Sequence, residues 1–253
     1  MILKIEALNF AYGKEKVLKN INLSAKKGEL ITLIGPNGSG KSTLLKCINN
    51  YLKADQGSIT IKGKKIKEYS RRELAQIIAY VPQSAEDISN LNVFETVLMG
   101  RKPHSSWKAG ERDKKITAEI ISQMDLEAIA FKELNNLSGG QKQKVFIARA
   151  AAQQAELILL DEPTNNLDLK HQLEIFNLIR EEVKNGRTAI VTMHDLSLVS
   201  RFSDRIIMLK NGRVFSDGSD SSLSAAKINS VYGVEVSLKE HNGKKIIIPE
   251  KVV

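Results

Sequence analysis

Apolar residues change their spacing along this chain, and the changes mark its parts. Leu3-Lys4-Ile5 and residues 18–23 alternate imperfectly between apolar and polar, with turn residues around Gly13 and at Lys26-Lys27-Gly28, a strand pattern. A short apolar run at 30–34 ends in glycine, and residues 41–53 then carry Leu44, Leu45, Ile48 and Leu52 at helical spacing. A strand, a glycine-rich turn and a helix are therefore expected in succession. Residues 58–66 read as a small hairpin turning near Gly63.

From about Gln83 to Gln154 the pattern becomes helical. Asn92 and Glu95 have capping-box spacing before Val97-Leu98-Met99, with Gly100 as the expected stop. Ile116, Ile120, Ile121 and Met124 mark a second helix face. Ser138 with Gln141 is a capping box that opens a third helix bearing Val145, Ala148, Ala151 and Ala152. Strand patterns return at 157–160, 189–193 and 206–209. These are continuous apolar runs separated by helical stretches such as 171–183, as in a parallel sheet buried on both faces. Asn211-Gly212 is a hairpin turn. Beyond Ser219 the pattern is ambiguous until 234–238 and 246–248, which read as a final hairpin around Asn242-Gly243. The layout is an α/β core interrupted by a helical insert.

Composition removes several classes. With 253 residues, 42% of them hydrophobic, the chain can bury a substantial core and is not a disordered one. One cysteine, Cys47, excludes a disulfide framework and a multi-cysteine zinc site, and is expected as a buried small hydrophobe. The first six residues lack the features of a secretory signal. No apolar run approaches the roughly 20 residues needed to span a bilayer. A soluble, cytoplasmic protein is expected. Lysine and arginine number 38 against 29 acids, a net charge of +9, which permits nucleic acid, an anionic membrane or a polyanionic ligand such as ATP. The densest basic cluster, Lys62, Lys64, Lys65, Lys67, Arg71 and Arg72, reads as a solvated face. Charge alone chooses none of these.

The candidate chemistry chooses. Gly35, Pro36, Asn37, Gly38, Ser39, Gly40, Lys41 and Ser42 fit the P-loop pattern, between an apolar strand and an amphipathic helix. The glycines let backbone N–H groups point at phosphate oxygens, and the positive end of the helix dipole faces the same anion. Lys41 can reach the β- and γ-phosphates, and the Ser42 hydroxyl can coordinate magnesium. Thr43 joins these as a nucleotide-binding residue. A second element is the apolar run 157–160 followed by Asp161-Glu162, carboxylates delivered at the end of a buried strand. Asp161 suits magnesium, and Glu162 can reach towards an attacking water.

Leu137-Ser138-Gly139-Gly140-Gln141, 20 residues ahead of Leu157, completes the picture. A serine cap and two glycines leave N–H groups at a helix start, a further anion site. With it the sequence resembles the ATP-binding subunits of ABC transporters over nearly its whole length. The resemblance implies a P-loop NTPase, ABC-type α/β ATPase core with an antiparallel β subdomain and an inserted helical subdomain. The core is expected at 1–83 and 155–219, the helical subdomain at 84–154 and a C-terminal extension at 220–253. It also implies that Ser138, Gly139, Gly140 and Gln141 close on ATP held by a second copy, head to tail. Tyr12 takes the place of the aromatic residue that stacks on adenine, and Gln83 that of the glutamine sensing magnesium and the attacking water. Asp168, in Asn166-Leu167-Asp168, belongs to a loop that communicates across the dimer, and His194 matches a histidine contacting the γ-phosphate.

A narrower resemblance rests on residues 97–104, on 164–172 and on the tail at 231–236 with Ile248-Pro249. These look like the ATPases of iron-siderophore, haem and cobalamin importers. Lys142 and Lys144 stand where arginines are more familiar, and Ala150-Ala151-Ala152 replaces a small-leucine ending, which leaves a molybdate-type or other importer open. The expected function is ATP hydrolysis coupled to uptake of a metal chelate. The expected partners are membrane permease subunits and, indirectly, a solute-binding protein, at the inner face of the cell membrane and without nucleic acid. The insert 84–104 is expected to dock the membrane subunit. A soluble ABC ATPase working on DNA or ribosomes would carry a coiled-coil insertion, zinc cysteines or two fused halves. A non-hydrolysing module would lack Glu162 or Lys41.

Overall fold

The computed structural model describes residues 1–83, 90–105 and 109–253. Residues 84–89, the first part of the expected docking insert and helical subdomain, lie outside the described residues, as do 106–108. The chain opens with strands β1 (Leu3–Tyr12), β2 (Glu15–Ala25) and β3 (Leu30–Ile34), followed by helix α1 (Lys41–Ile48). Then come β4 (Gln56–Ile61), β5 (Lys64–Lys65), α2 (Arg71–Ile77), β6 (Ile78–Val81) and α3 (Val93–Leu98). α4 (Glu111–Gln123), α5 (Gly139–Ala152), β7 (Leu157–Asp161), α6 (Leu169–Lys184) and β8 (Thr188–Thr192) follow. The chain ends with α7 (Leu196–Phe202), β9 (Arg205–Lys210), β10 (Arg213–Gly218), α8 (Ala225–Tyr232), β11 (Val234–His241) and β12 (Lys244–Val252). Two compact units result, one of Met1–Glu68 with Thr188–Val253, the other of Tyr69–Arg187.

In the first unit, β1 pairs antiparallel with β2 and β4, and β4 with β5. β3 runs parallel to both β8 and β9. All five residues of β3 and of β8 are buried, which is why their sequences show apolar runs rather than alternation. Polar groups inside are paired: the Thr32 and Ser203 hydroxyls lie 2.6 Å apart. Helix α1 is shorter than its apolar spacing implies, because Asn50 adopts φ 56° and turns the chain away before Leu52. Cys47 on α1 is buried, and burial, followed by the Asp55 charge, pushes its thiol up to about 12. Asn211-Gly212 and Asn242-Gly243 form their hairpins with positive φ at both residues. The ambiguous stretch resolves into α8, capped by Ser224 and ended by left-handed Gly233.

In the second unit, Ser70 with Glu73, Asn92 with Glu95, and Ser138 with Gln141 all form reciprocal capping boxes. Gly100 does not stop a helix as expected; α3 ends at Leu98 and Gly100 sits inside a 3-10 turn, Met99–Arg101. Arg101 is buried, donating to Asp113 at 3.0 Å, to the Ala152 carbonyl at 2.7 Å and to Gln154 at 2.9 Å. It thereby fastens the end of the turn to α4 and to the end of α5. Ile175, Phe176, Ile179 and Val183 form the buried stripe of α6. Among the described residues no helix is long and apolar enough to cross a membrane.

Candidate functional site

In the first unit, buried β3 delivers the chain to Gly35, whose φ is 150°. A Cβ at Gly35 would lie 2.2 Å from the Leu209 carbonyl oxygen, so glycine alone lets the turn lie against β9. Lys41 folds back over this turn. Its Nζ donates to the Gly35 carbonyl at 2.8 Å and to the Pro36 carbonyl at 3.2 Å, and the side chain is buried. Gly40 is the N-cap of α1 and offers no side-chain cap. First-turn N–H groups, beside Ser42 and Thr43, are thus directed at whatever anion occupies the loop.

Leu33 and Thr192 stand opposite each other in the parallel pair β3 and β8, so Gly35 and His194 leave the sheet at one edge. That is the edge where α/β sheets carry ligand chemistry. His194 is exposed, immediately before Asp195 accepts the Ser197 and Leu198 N–H groups and caps α7. Tyr12, at the end of β1, is 50% exposed and meets Phe10 edge-on with centroids 4.8 Å apart. Its ring has surface to offer a flat base.

The second unit repeats the logic with β6 and β7. These strands are parallel with Val81 opposite Leu160, so two residues further on Gln83 meets Glu162. The Gln83 Nε2 donates to Glu162 Oε2 at 2.7 Å, and Asn165 Nδ2 lies 3.4 Å from the same oxygen. Glu162 has φ 48°, a left-handed conformation unusual for a side-chain-bearing residue. Such a conformation costs on the order of 1–3 kcal/mol and persists where neighbours hold it. Asp161 is buried at the end of β7, with the Tyr80 hydroxyl 3.5 Å from its Oδ2. Burial first, and then the Asp161 charge, push the Tyr80 phenol well above its ordinary range. Tyr80 therefore stays a neutral neighbour of Asp161. Asn165 lies in the 164–172 stretch, but neither it nor Tyr80 was expected as a site residue; the parallel register brings Tyr80 beside the acids, and the turn in which the Asn165 N–H bonds to the Glu162 carbonyl brings Asn165.

Ser138 caps α5, its hydroxyl accepting from the Gln141 N–H at 3.3 Å while Gln141 Oε1 accepts the Ser138 N–H at 3.0 Å. This box uses the third N–H of the helix. The N–H groups of Gly139 and Gly140 have no partner within a helix, and a Cβ at Gly139 would meet nothing within 4 Å. Asp168 caps α6, accepting the His171 N–H at 2.9 Å and the His171 Nδ1 at 2.8 Å. Those bonds, the backbone one foremost, hold its carboxyl below the usual range.

The structure thus joins Gln83 to Glu162, sets Asp161 beside them, and holds Lys41 over Gly35 and Pro36. Within the second unit Gln83 and Asp161 offer amide and carboxylate oxygens, and within the first Ser42 offers a hydroxyl; each is a hard donor of the kind magnesium takes.

Known proteins agree with this reading of the fold. A family model described as ABC transporter matches residues 18–165. An iron(3+)-hydroxamate import ATP-binding protein of Bacillus subtilis is 41% identical over 219 residues, covering 85% of this chain and 81% of its own. Among solved structures, a metal-chelate type ABC transporter in an inward-facing conformation superposes with a TM-score of 0.86 at 27% identity, covering 99% of this chain and 97% of its own. A dimeric ATP-binding cassette in a post-hydrolysis state, bound to ADP and phosphate, gives 0.76 at 34% identity, with 86% and 98% covered. The fold is the ABC-type P-loop NTPase core, and the chain belongs to the ABC transporter family as one of its ATP-hydrolysing subunits.

Proposed function

We propose that the chain powers an importer of an iron-siderophore, haem or corrinoid type metal chelate. The observation that carries this reading is the extent of the match. The metal-chelate transporter covers 99% of the chain, C-terminal hairpin included, while the dimeric cassette covers 86%. The iron-hydroxamate relative supports the same substrate class.

Two copies, in this proposal, enclose two ATP molecules head to tail at the cytoplasmic face of the membrane, attached to permease subunits that receive cargo from a solute-binding protein. One copy contributes Tyr12 against adenine, residues 35–43 around the phosphates, and Gln83, Asp161, Glu162 and His194 around the γ-phosphate. The other contributes Ser138, Gly139, Gly140 and Gln141, with Asp168 in the loop facing the partner. Ser42, Asp161 and Gln83 would hold magnesium, which when bound neutralises charge on the β- and γ-phosphates. Glu162 accepts a proton from the attacking water, and its bond to Gln83 fixes where that carboxylate points. Lys41 and the N–H groups of Gly139 and Gly140 stabilise the charge that develops. The helical subdomain, expected at 84–154, passes this closure to the permease.

Uptake in cells tests the cargo. Deleting this chain should abolish energy-dependent accumulation of a ferric hydroxamate, haem or a corrinoid, and a Glu162→Gln copy should fail to restore it. Unchanged uptake of all three compounds in the deletion overturns the proposal.

A further inference from the structure

His171 lies within the 164–172 stretch and takes no part in the chemistry proposed for the site. It is the third residue of α6, and its backbone and its ring both bond to Asp168 Oδ1, at 2.9 and 2.8 Å. The Asp168 carboxyl is held below its usual range by these bonds. An ionised carboxylate accepts, so the Nδ1 of His171 carries the proton of the pair. The opposite edge of the ring faces another element. A Cβ built at Gly140 would lie 2.6 Å from Cδ2 and 2.7 Å from Cγ of His171. The imidazole therefore rests against the backbone of the second residue of α5, at a distance only a glycine permits.

One side chain thus touches two segments that both face the partner copy in the proposed dimer. Through Nδ1 it grips the loop 166–168, and through its ring it abuts the head of α5, whose Gly139 and Gly140 N–H groups serve the partner's nucleotide. Asn166 in that loop has φ 59°, a left-handed turn that asparagine adopts readily, so the loop bends sharply just before Asp168. We infer that His171 is a positioning residue that ties the loop 166–168 to the head of α5, so that the two move as one body when the dimer closes on ATP. The inference rests on the proposed composite site.

The physical consequence is a split between binding and turnover. ATP capture by one chain depends, in the proposed site, on residues 35–43, which belong to the other unit. Closure and hydrolysis depend on the placement of the partner's N–H groups, and a misplacement of about 1 Å can cost on the order of 100-fold in rate.

The test is a double-mutant cycle in the full chain with its permease, using Gly140→Ala, His171→Ala and the pair, with His171→Asn as a conservative variant that keeps an N–H donor near Asp168. His171→Ala should lower kcat roughly 10- to 100-fold while ATP affinity stays within about threefold, and His171→Asn should recover part of the loss. In the pair, Gly140→Ala should cost little more than His171→Ala alone, because the ring it collides with is gone. A His171→Ala enzyme within twofold of wild type overturns the inference. So does a cycle in which the two losses multiply, or a parallel fall in ATP affinity and melting temperature that marks a merely structural role. A wild-type complex that hydrolyses no ATP would instead defeat the underlying reading of the site.

Discussion

Gln83 and Glu162 are joined at 2.7 Å because their strands end side by side, Val81 opposite Leu160. The amide donates and the carboxylate accepts, so a residue expected to report on the γ-phosphate is in direct contact with the proposed base. Any displacement of Gln83 re-aims Glu162.

Glu162→Gln should bind ATP and stop turning over. The replacement is nearly isosteric, so the left-handed backbone and the neighbouring Asp161 are undisturbed while basicity is lost. A fall of roughly 10² to 10⁴ in kcat is expected, and the variant should accumulate as an ATP-bound dimer in size-exclusion chromatography. Near-normal ATPase activity with the partners present would remove Glu162 from the role of base.

The composite site has its own test, made cleaner by the open space around Gly139. Gly139→Asp adds a Cβ that meets nothing within 4 Å in its own chain, and in the proposed dimer it brings a carboxylate to where the partner's γ-phosphate must approach. Lys41→Ala disables the P-loop. Each homodimer should fail to close on ATP, whereas mixing the two places both lesions in one site and leaves the other intact. Inter-subunit cross-linking should therefore recover about one closable site per mixed dimer. Mixed dimers that form and never close count against the head-to-tail arrangement.

Docking of the membrane subunit is expected along 90–104 and its neighbours. Leu91 and Met99 are half-buried, and Phe131 is 81% exposed, stacked on Phe94 at 6.2 Å. An exposed ring backed by a half-buried one is suited to an interface. Leu91→Ser, Met99→Ser or Phe131→Ser should uncouple uptake from ATP hydrolysis while leaving ATP binding intact. Reagents placed at these positions that never cross-link to a permease in membranes would refute the docking face.

Acid should loosen the second unit through Asp113. The Ser105 hydroxyl foremost, and then the Arg101 guanidinium and the Gly110 N–H, hold this carboxyl below its ordinary range. A carboxyl lowered on folding stabilises the native state above its unfolded pKa of about 3.9, and that contribution is lost as pH falls through the folded value. Asp113→Asn leaves buried Arg101 without its counter-charge and should cost about 1–3 kcal/mol at neutral pH. Thermal melts should show the wild type and the variant converging as the pH falls below the unfolded pKa and through the lowered folded value. A constant gap from pH 7 to pH 2 would show that the charge of Asp113 is irrelevant.

The strands and the phosphate loop were legible because their signals are local and continuous. The apolar runs at 30–34, 157–160 and 189–193 are buried throughout, and Ser138 with Gln141 makes the capping box its spacing implies. Other features depend on partners distant in sequence. Helix α8 has eight residues and two buried ones, Ile228 and Val231, too few for a periodic signal, although Ser224 and Gly233 cap it. Ser70 with Glu73 opens α2 with a box that precedes almost no apolar pattern. Gly100 carries a residue type that suggests a stop, but the chain continues in a tighter turn fixed by Arg101, whose partners lie 12 to 53 residues away. The Gln83–Glu162 bond required the strand register, which no motif encodes.

Cys47 supplies a clock. It is the chain's one cysteine, sits in the last turn of the helix that begins at Lys41, is 1% exposed, and has a thiol pushed up to about 12. Protonated and almost fully covered, it gives alkylating reagents no thiolate and almost no surface. Its labelling rate therefore counts the moments when the P-loop helix opens. Comparing that rate with and without ATP measures how firmly the nucleotide holds this helix, with no mutation and no added probe.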